Sequence, residues 1–298
     1  MPGTVVQSEM LPARRVFRRE LLIGAVVAVM LGCTAFFFGL RWLESLMTFR
    51  PERMSEKEYK SPPEGAELAW LPSSPGVHLR GWYFESQSKP AIATIIFFHG
   101  NGGNISNVGW LGQRFAKHGF NVLLFDYRGY GASEGVANDE TGLYADGYAA
   151  LSFVTKGKEI SPNQIILYGQ SLGTAVAAEV AQHGNFGAVV LESGFSSASS
   201  LADSAVPWLP RCLHFLGKNR FESARKLANV RAPILIAHGD PDRTIPTSEA
   251  QLLFASANEP KQLLIVPGAG HVVFGNAGEQ YLNQVEQFMR GAMIKARQ

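Results

Sequence analysis

Short apolar runs recur along this chain with helix-compatible stretches between them, and this recurrence constrains the fold more than any other feature. A strand that is apolar along its whole length needs cover on both faces, which a parallel sheet between helices supplies. An earlier segment, "VHLRGWYF" at 77–84, alternates in the manner of a strand. The sequence therefore predicts an α/β fold with a doubly wound, mostly parallel sheet. The apolar runs are "AIATIIFF" at 91–98, "FNVLLFDY" at 120–127, "QIILYG" at 164–169, "AVVLES" at 188–193, "PILIAHG" at 233–239 and "KQLLIVPG" at 261–268.

The composition is that of an ordinary globular protein with enough apolar residues for a sizeable core. Of 298 residues, 46% are apolar and 17% are charged, and the formal net charge is +2. Basic residues are dispersed apart from the cluster "RRVFRR" at 14–19, so we expect no nucleic-acid partner. The two cysteines, Cys33 and Cys212, make no metal-ligand cluster and leave the redox compartment open.

Residues 21–40, "LLIGAVVAVMLGCTAFFFGL", contain no charged side chain. A helix of this length rises about 30 Å, the thickness of the hydrocarbon layer, so we predict a single transmembrane anchor. A cleaved secretory signal is the alternative, although its apolar core would be only about 7–15 residues long. Dense arginines before the span favour an extracytoplasmic (periplasmic) location for the large C-terminal domain, while the basic residues after it leave the cytoplasmic side open.

The anchor sets the predicted domain organisation. A basic tail (1–20) precedes the anchor (21–40), a polar and proline-flanked juxtamembrane linker (41–65) follows it, and one α/β domain (66–298) completes the chain.

The turn Gly169-Gln170-Ser171-Leu172-Gly173 links a predicted strand at 165–168 to a predicted helix at 172–183. So sharp a turn strains its central residue into a left-handed conformation and requires small residues two positions before and after it. Ser171 would then project above the sheet as a nucleophile, near the unpaired amides of the first helical turn. A glycine-rich turn with a serine N-cap is the structural alternative.

A serine nucleophile needs a histidine base, and that base needs a carboxylate to fix its tautomer. The loop "DPDRTIP" offers Asp240 and Asp242, and the loop "GAGH" offers His271. Each loop follows the carboxyl end of a predicted strand, where open α/β sheets place their sites. Glu192, at the end of an earlier run, is the runner-up for the acid.

An acyl-transfer site also needs two preorganised N–H donors for the oxyanion. One donor is expected to be the amide of Leu172, directly after the nucleophile. The other is expected to be the amide of Asn101, in the glycine-rich segment "FFHGNGGN" after the run at 91–98, for which a simple glycine turn is the alternative.

These residues resemble the serine hydrolases of the α/β-hydrolase superfamily, in particular the membrane-anchored branch related to eukaryotic lipid and palmitoyl thioesterases. The order Ser, Asp, His is the order of that superfamily. In such proteins the acid is the aspartate followed three residues later by an aliphatic residue and proline, which here are Ile245 and Pro246, so the resemblance favours Asp242 over Asp240. The matching stretches are "FHGNGGN" at 98–104, "DYRGYGASEG" at 126–135, "GQSLGTAVA" at 169–177, "HGDPDRTIP" at 238–246 and "GAGH" at 268–271.

The resemblance also implies a short lid in the insert at about 195–230. Some of its apolar residues are candidates for an acyl pocket, with ordinary packing onto the domain as the alternative. These candidates are Trp208, Leu209, Leu213, Phe215 and Leu216.

We therefore predict a membrane-anchored serine hydrolase that cleaves carboxylic esters or thioesters, on lipid-like substrates among others, with Ser171, His271 and Asp242 as its triad. The chemistry requires no metal and no organic cofactor. A serine peptidase or amidase on the same fold and a non-catalytic, membrane-tethered binding module are the alternatives.

Overall fold

The structure is a computed structural model that describes residues 11–205 and 217–295. Its helices are α1 (Leu11–Thr48), α2 (Glu56–Tyr59), α3 (Gly109–Lys117), α4 (Glu140–Ser152), α5 (Leu172–Ala181), α6 (Ala198–Ala205), α7 (Ser223–Leu227), α8 (Ser248–Ser256) and α9 (Val273–Lys295). Its strands are β1 (Ala66–Ser73), β2 (Val77–Phe84), β3 (Thr94–Phe98), β4 (Asn121–Phe125), β5 (Ile165–Gln170), β6 (Ala188–Glu192), β7 (Ile234–Gly239) and β8 (Lys261–Val266).

All of these strands join one sheet in the order β1-β2-β4-β3-β5-β6-β7-β8. The pairs from β4 to β8 are parallel, whereas β1 with β2 and β2 with β4 are antiparallel. The predicted doubly wound, mostly parallel sheet is confirmed, and each of the six apolar runs contains one strand. The apolar pattern does not predict β1, because its exposed positions hold Leu68 and Trp70 and the alternation is lost.

Successive strand residues contribute to two cores on opposite faces of the sheet. On β3, Ile95 and Phe97 belong to the core under α3 and α9, while Ile96 and Phe98 belong to the core under α4 and α5. Burial on both faces explains why the central runs are apolar throughout.

Helix α1 extends beyond the predicted anchor at both ends. Its segment Phe17–Trp42 is long and apolar enough to cross a membrane, and the most apolar part of it is not buried inside the protein. This segment, close to the N-terminus, is the one candidate membrane span in the described residues.

The chain between α1 and β1 packs against the domain. Within the predicted linker at 41–65, Phe49, Met54 and Tyr59 are 5%, 7% and 0% exposed. The Tyr59 hydroxyl donates to the carbonyl of Ala69 in β1 (2.9 Å), and the Trp82 indole donates to the carbonyl of Tyr59 (3.1 Å). We call residues 49–59 the strap.

The predicted insert at 195–230 begins with α6 and ends with α7. Its middle, residues 206–216, lies outside the described residues. The acyl-pocket candidates Trp208, Leu209, Leu213, Phe215 and Leu216 all fall there.

Candidate active site

The turn after β5 holds Ser171 at φ +53° and ψ −118°, a conformation that residues with side chains rarely adopt. Two glycines allow the close approach that this turn needs. A Cβ on Gly169 would overlap the carbonyl of Gly173, and a Cβ on Gly173 would overlap the carbonyl of Phe98 at the end of β3. The Ser171 amide donates to the Glu192 carbonyl of β6 (2.8 Å), so both neighbouring strands fix the turn.

The structure brings together the three side chains that the sequence suggests as a triad. His271 Nε2 lies 2.9 Å from Ser171 Oγ, and His271 Nδ1 lies 2.8 Å from Asp242 Oδ2. The three residues follow β5, β7 and β8, and they meet because the carboxyl ends of parallel strands lie along one edge of the sheet. The Asp242 side chain is fully buried, whereas the His271 side chain is 21% exposed and can reach substrate and water.

Several donors hold the Asp242 carboxylate. Oδ1 accepts the amides of Thr244 (2.8 Å) and Ile245 (3.0 Å), while Oδ2 faces His271 and, at 3.1 Å, Nε2 of His238. Burial by itself would raise the pKa of Asp242, but the hydrogen bonds from the two histidines and the two amides outweigh it and hold that pKa well below its usual range. Asp242 is therefore negatively charged at neutral pH.

His238 is a site residue that the sequence analysis misses. It is fully buried at the end of β7, with Nε2 2.9 Å from the carbonyl oxygen of Ile245. Because a carbonyl oxygen can only accept, Nε2 carries the hydrogen and points it between this carbonyl and Asp242. Nδ1 of His238 has no hydrogen-bond partner among the described residues. The available signal was its position four residues before Asp242 in "HGDPD".

The two other candidate acids bind elsewhere. Asp240 Oδ1 accepts the Gly268 amide (2.7 Å) and so ties the loop after β7 to the loop after β8. In the described part of the chain, the histidine contact that the acid requires is made by Asp242 and not by Asp240 or Glu192.

Glu192 is fully buried and supports the segment after His271. Its carboxylate accepts the hydroxyls of Tyr168 (2.7 Å) and Tyr281 (2.9 Å) and the amide of Val273 (3.0 Å). Burial raises the pKa of Glu192 to about 6, against the lowering effect of these hydrogen bonds. The contact with Val273 fixes the start of α9 two residues after His271.

The two predicted oxyanion donors lie beside Ser171. A Cβ on Gly100 would lie 3.3 Å from the Ser171 Cβ, so the peptide that joins Gly100 to Asn101 passes next to the serine. Leu172 follows the serine directly. Within the described residues, neither the Asn101 amide nor the Leu172 amide donates a hydrogen bond to a protein acceptor, and both are available to an oxyanion.

A buried His99–Asp126 pair, also missed by the sequence analysis, lies behind the Asn101 loop. His99 Nε2 is 3.6 Å from Asp126 Oδ1, His99 Nδ1 donates to the Gly100 carbonyl (2.8 Å), and Asp126 accepts the Ile105 amide (2.9 Å). Burial lowers the pKa of His99 to about 4 and raises the pKa of Asp126 to about 8. Burial thus favours the uncharged form of both groups, and their hydrogen bonds to Gly100 and Ile105 support the loop at both ends.

Comparison with known proteins places this chain in a family. A family model described as serine aminopeptidase, S33, matches residues 89–225. YfhR of Escherichia coli K12 is 34% identical over 252 residues, which cover 80% of this chain and 85% of YfhR. WAV2 of Arabidopsis thaliana, an α/β-hydrolase domain-containing protein, is 29% identical over 241 residues, which cover 75% of this chain and 78% of WAV2. The chain belongs to the α/β-hydrolase family.

Solved structures share the fold of this α/β hydrolase. The esterase Pf2001 of Pyrococcus furiosus aligns with a TM-score of 0.62 and 19% identity, over 83% of this chain and 98% of the esterase. At that identity the likeness concerns the fold alone. Membership of the family makes the protein a hydrolase, with an ester or a similar substrate.

Proposed function

We propose that this α/β hydrolase is a membrane-anchored serine hydrolase that cleaves carboxylic esters or thioesters through an acyl-enzyme. One observation carries the proposal: Ser171 Oγ, His271 and Asp242 form a continuous chain of contacts of 2.9 and 2.8 Å. A hydroxyl, an imidazole and a buried carboxylate in this order are the groups that nucleophilic acyl transfer requires.

In acylation, Ser171 Oγ attacks the acyl carbonyl carbon while His271 Nε2 accepts the hydroxyl proton. Asp242 keeps the other imidazole proton on Nδ1 and stabilises the imidazolium. The amides of Asn101 and Leu172 donate to the oxyanion, and in comparable enzymes the loss of one such donor lowers kcat by about 10²–10³. His271 then gives its proton to the leaving alcohol or thiol.

In deacylation, a water molecule attacks the acyl-enzyme. His271 accepts the proton of that water and then returns a proton to Ser171 Oγ as the acid product leaves. The partial exposure of the His271 side chain supports this step, because water must reach Nε2.

We propose that residues 21–40, within α1, are the anchor and that the catalytic domain lies on the extracytoplasmic side. The support is the one candidate span that the described residues contain, Phe17–Trp42, and the arginines that precede residue 21. A lipid-like acyl substrate suits a site that is tethered to a membrane.

A serine peptidase or amidase is the second candidate, because the matching family model is described as a serine aminopeptidase. An aminopeptidase must bind the free amino group of its substrate, for which a carboxylate is the natural partner. Asp242 and Glu192 are buried and accept several hydrogen bonds from protein groups, so neither is free for that task. The exposed Asp240 uses one oxygen, Oδ1, to accept the Gly268 amide. We therefore rank esters and thioesters first.

The test is labelling with a fluorophosphonate probe, followed by turnover of nitrophenyl esters, acyl thioesters and peptide amides by the full-length protein in detergent. We expect labelling, and faster turnover of esters and thioesters than of amides. Ser171→Ala should abolish labelling and lower turnover by about 10⁴-fold or more, with an unchanged circular dichroism spectrum. A parent that neither labels nor hydrolyses would be a binding module, and a Ser171→Ala variant with the parent rate would have another nucleophile.

A further inference from the structure

The strap runs along the rim of the proposed active site. The Arg50 amide donates to Asn101 Oδ1 (2.9 Å), the Glu52 carbonyl accepts the Gly131 amide (2.9 Å), and an Arg53 guanidinium nitrogen donates to the Ser133 carbonyl (2.7 Å). The buried Phe49 ring packs on Phe221, with 6.4 Å between ring centroids. A segment with the composition of a linker thus contacts the loop that holds a proposed oxyanion donor.

Two donors converge on the side-chain oxygen of Asn101. The Tyr130 hydroxyl lies 2.8 Å from Oδ1, on which the Arg50 amide also converges. A backbone amide can only donate, so the Asn101 atom that faces the strap is the oxygen. Burial raises the pKa of Tyr130 well above its usual value, so its hydroxyl keeps its proton at any practical assay pH.

The backbone around Asn101 needs such a restraint. Asn101 lies among three glycines, Gly100, Gly102 and Gly103, and glycine backbones have wide conformational freedom. A Cβ added to Gly102 would meet nothing within 4 Å, so packing does not fix that part of the loop. An oxyanion donor stabilises the transition state only if its direction is set before the reaction.

We propose that the Arg50 amide and the Tyr130 hydroxyl are positioning groups, which hold the Asn101 side chain and thereby aim the Asn101 amide at the oxyanion. This inference rests on the proposed function. It makes the juxtamembrane strap, whose Arg50 lies 51 residues before Asn101 in the sequence, a functional part of the proposed active site. The strap and Tyr130 act through Asn101 and touch no substrate.

The test removes one donor at a time from the full-length protein. Arg50→Pro deletes the amide hydrogen, and the residue before Pro51 already favours the extended backbone that proline accepts. Arg50→Ala keeps the amide and loses only the exposed side chain. Tyr130→Phe deletes the second donor. Its matched control is Tyr148→Phe, which removes a hydroxyl of α4 that donates to the Glu179 carboxylate of α5 (2.9 Å).

Activity is measured on a short nitrophenyl ester, with active sites counted by fluorophosphonate titration, so that misfolded protein does not enter kcat. We expect Arg50→Pro and Tyr130→Phe each to lower kcat about tenfold or more, with KM within about twofold of the parent value. Each variant should also bind a trifluoromethyl ketone, an analogue of the transition state, more weakly by the same factor by which kcat/KM falls. Tyr148→Phe should keep the parent kcat, and the loss in Arg50→Pro should exceed the loss in Arg50→Ala at least about fivefold.

A double-mutant cycle identifies the route of the effect. Once Asn101→Ala has removed the acceptor, adding Arg50→Pro should cost little more, because both changes break the same contact. Additive losses, or an Arg50→Pro variant as active per site as Arg50→Ala, would overturn the inference. If the parent itself neither labelled nor hydrolysed esters, the proposed function would fail and this inference with it, whereas an active parent with unaffected variants would overturn the inference alone.

Discussion

The Asp242 carboxylate shares one oxygen between two histidines, His271 at 2.8 Å and His238 at 3.1 Å. Two amides hold its other oxygen, so the carboxylate cannot rotate without breaking several hydrogen bonds at once. A carboxylate fixed in this way fixes the ring and the tautomer of His271 in turn. His238 thus contacts Asp242, and Asp242 in turn contacts His271, the proposed base.

Replacing each loop aspartate by asparagine separates the two candidate acids. Asp242→Asn should lower kcat about 10³–10⁴-fold, because an amide nitrogen facing Nδ1 favours the wrong imidazole tautomer. Asp240→Asn should cost less than about tenfold, because the amide oxygen can still accept the Gly268 amide. Steady-state turnover of a short ester measures both variants, and the reverse ranking would transfer the role to Asp240.

Sequence reasoning predicts well where a side chain lies when its position follows from its place after a strand. Ser171, Asp242 and His271 are of this kind, because parallel strands deliver their loops to one edge. Other roles depend on partners that only the fold brings near. The Asn101 side chain contacts Arg50 and Tyr130, which are 51 and 29 residues away in the chain, and no local sequence pattern predicts either contact.

At the scale of elements, the turn between β5 and α5 depends on close contact between backbones. Gly173 lies against the Phe98 carbonyl of β3, so the start of α5 and the end of β3 touch without side chains between them. This contact also brings the Asn101 loop, which continues from β3, up to Ser171. The glycine therefore serves the site as well as the turn.

Adding one methyl group at Gly173 should disrupt the contact between the start of α5 and the end of β3. Gly173→Ala would overlap a backbone oxygen that cannot move aside, so we expect a loss of at least about 3 kcal/mol of stability or failure to accumulate as folded protein. The matched control is Gly291→Ala in α9, where a Cβ meets nothing within 4 Å and the helix should gain about 0.5–1 kcal/mol. Thermal unfolding in detergent, followed by tryptophan fluorescence, compares the two. Equal midpoints would contradict the close-contact explanation.

The elements that a sequence pattern predicts are those whose burial is uniform. The strands in five of the six apolar runs are buried on both faces almost throughout and are recognised for that reason, while β8, at the edge of the sheet, is mostly half-buried. The strap has only three buried apolar side chains, Phe49, Met54 and Tyr59, among charged and polar neighbours, and so its composition predicts a linker. Its packing depends on grooves in the folded domain, which no window of sequence contains.

At the scale of the whole molecule, the end of the apolar helix and the strap that follows it both contact the α/β domain, and the strap reaches the proposed active site. Glu44, near the end of α1, accepts the amides of Lys218 (2.7 Å) and Asn219 (2.8 Å), which lie before α7 in the insert. The strap then continues past Asn101. We propose that the catalytic unit begins with the chain that leaves the membrane, and that the anchor alone is dispensable for folding.

Two N-terminal truncations test where that unit begins. A chain that starts at Glu44 lacks the span Phe17–Trp42 and keeps the strap, whereas a chain that starts at Ser61 lacks both. We expect the first to be soluble and as active per site as the full-length protein. The second loses three buried side chains worth roughly 1.5–3 kcal/mol each, a large part of the 5–15 kcal/mol typical of a domain, so it should unfold at least about 10 °C lower or aggregate.

The two truncations test different parts of the proposal. If the chain from Ser61 were as stable and active as the chain from Glu44, the strap would be a tether and the domain would begin near β1. If the chain from Glu44 stayed with membranes after carbonate washing, a surface other than the apolar helix would bind the bilayer. With the expected result, removing the chain up to Trp42 abolishes membrane attachment but leaves activity unchanged. The reason is that the hydrophobic span serves attachment, whereas Phe49, Met54 and Tyr59 belong to the cores that support the site.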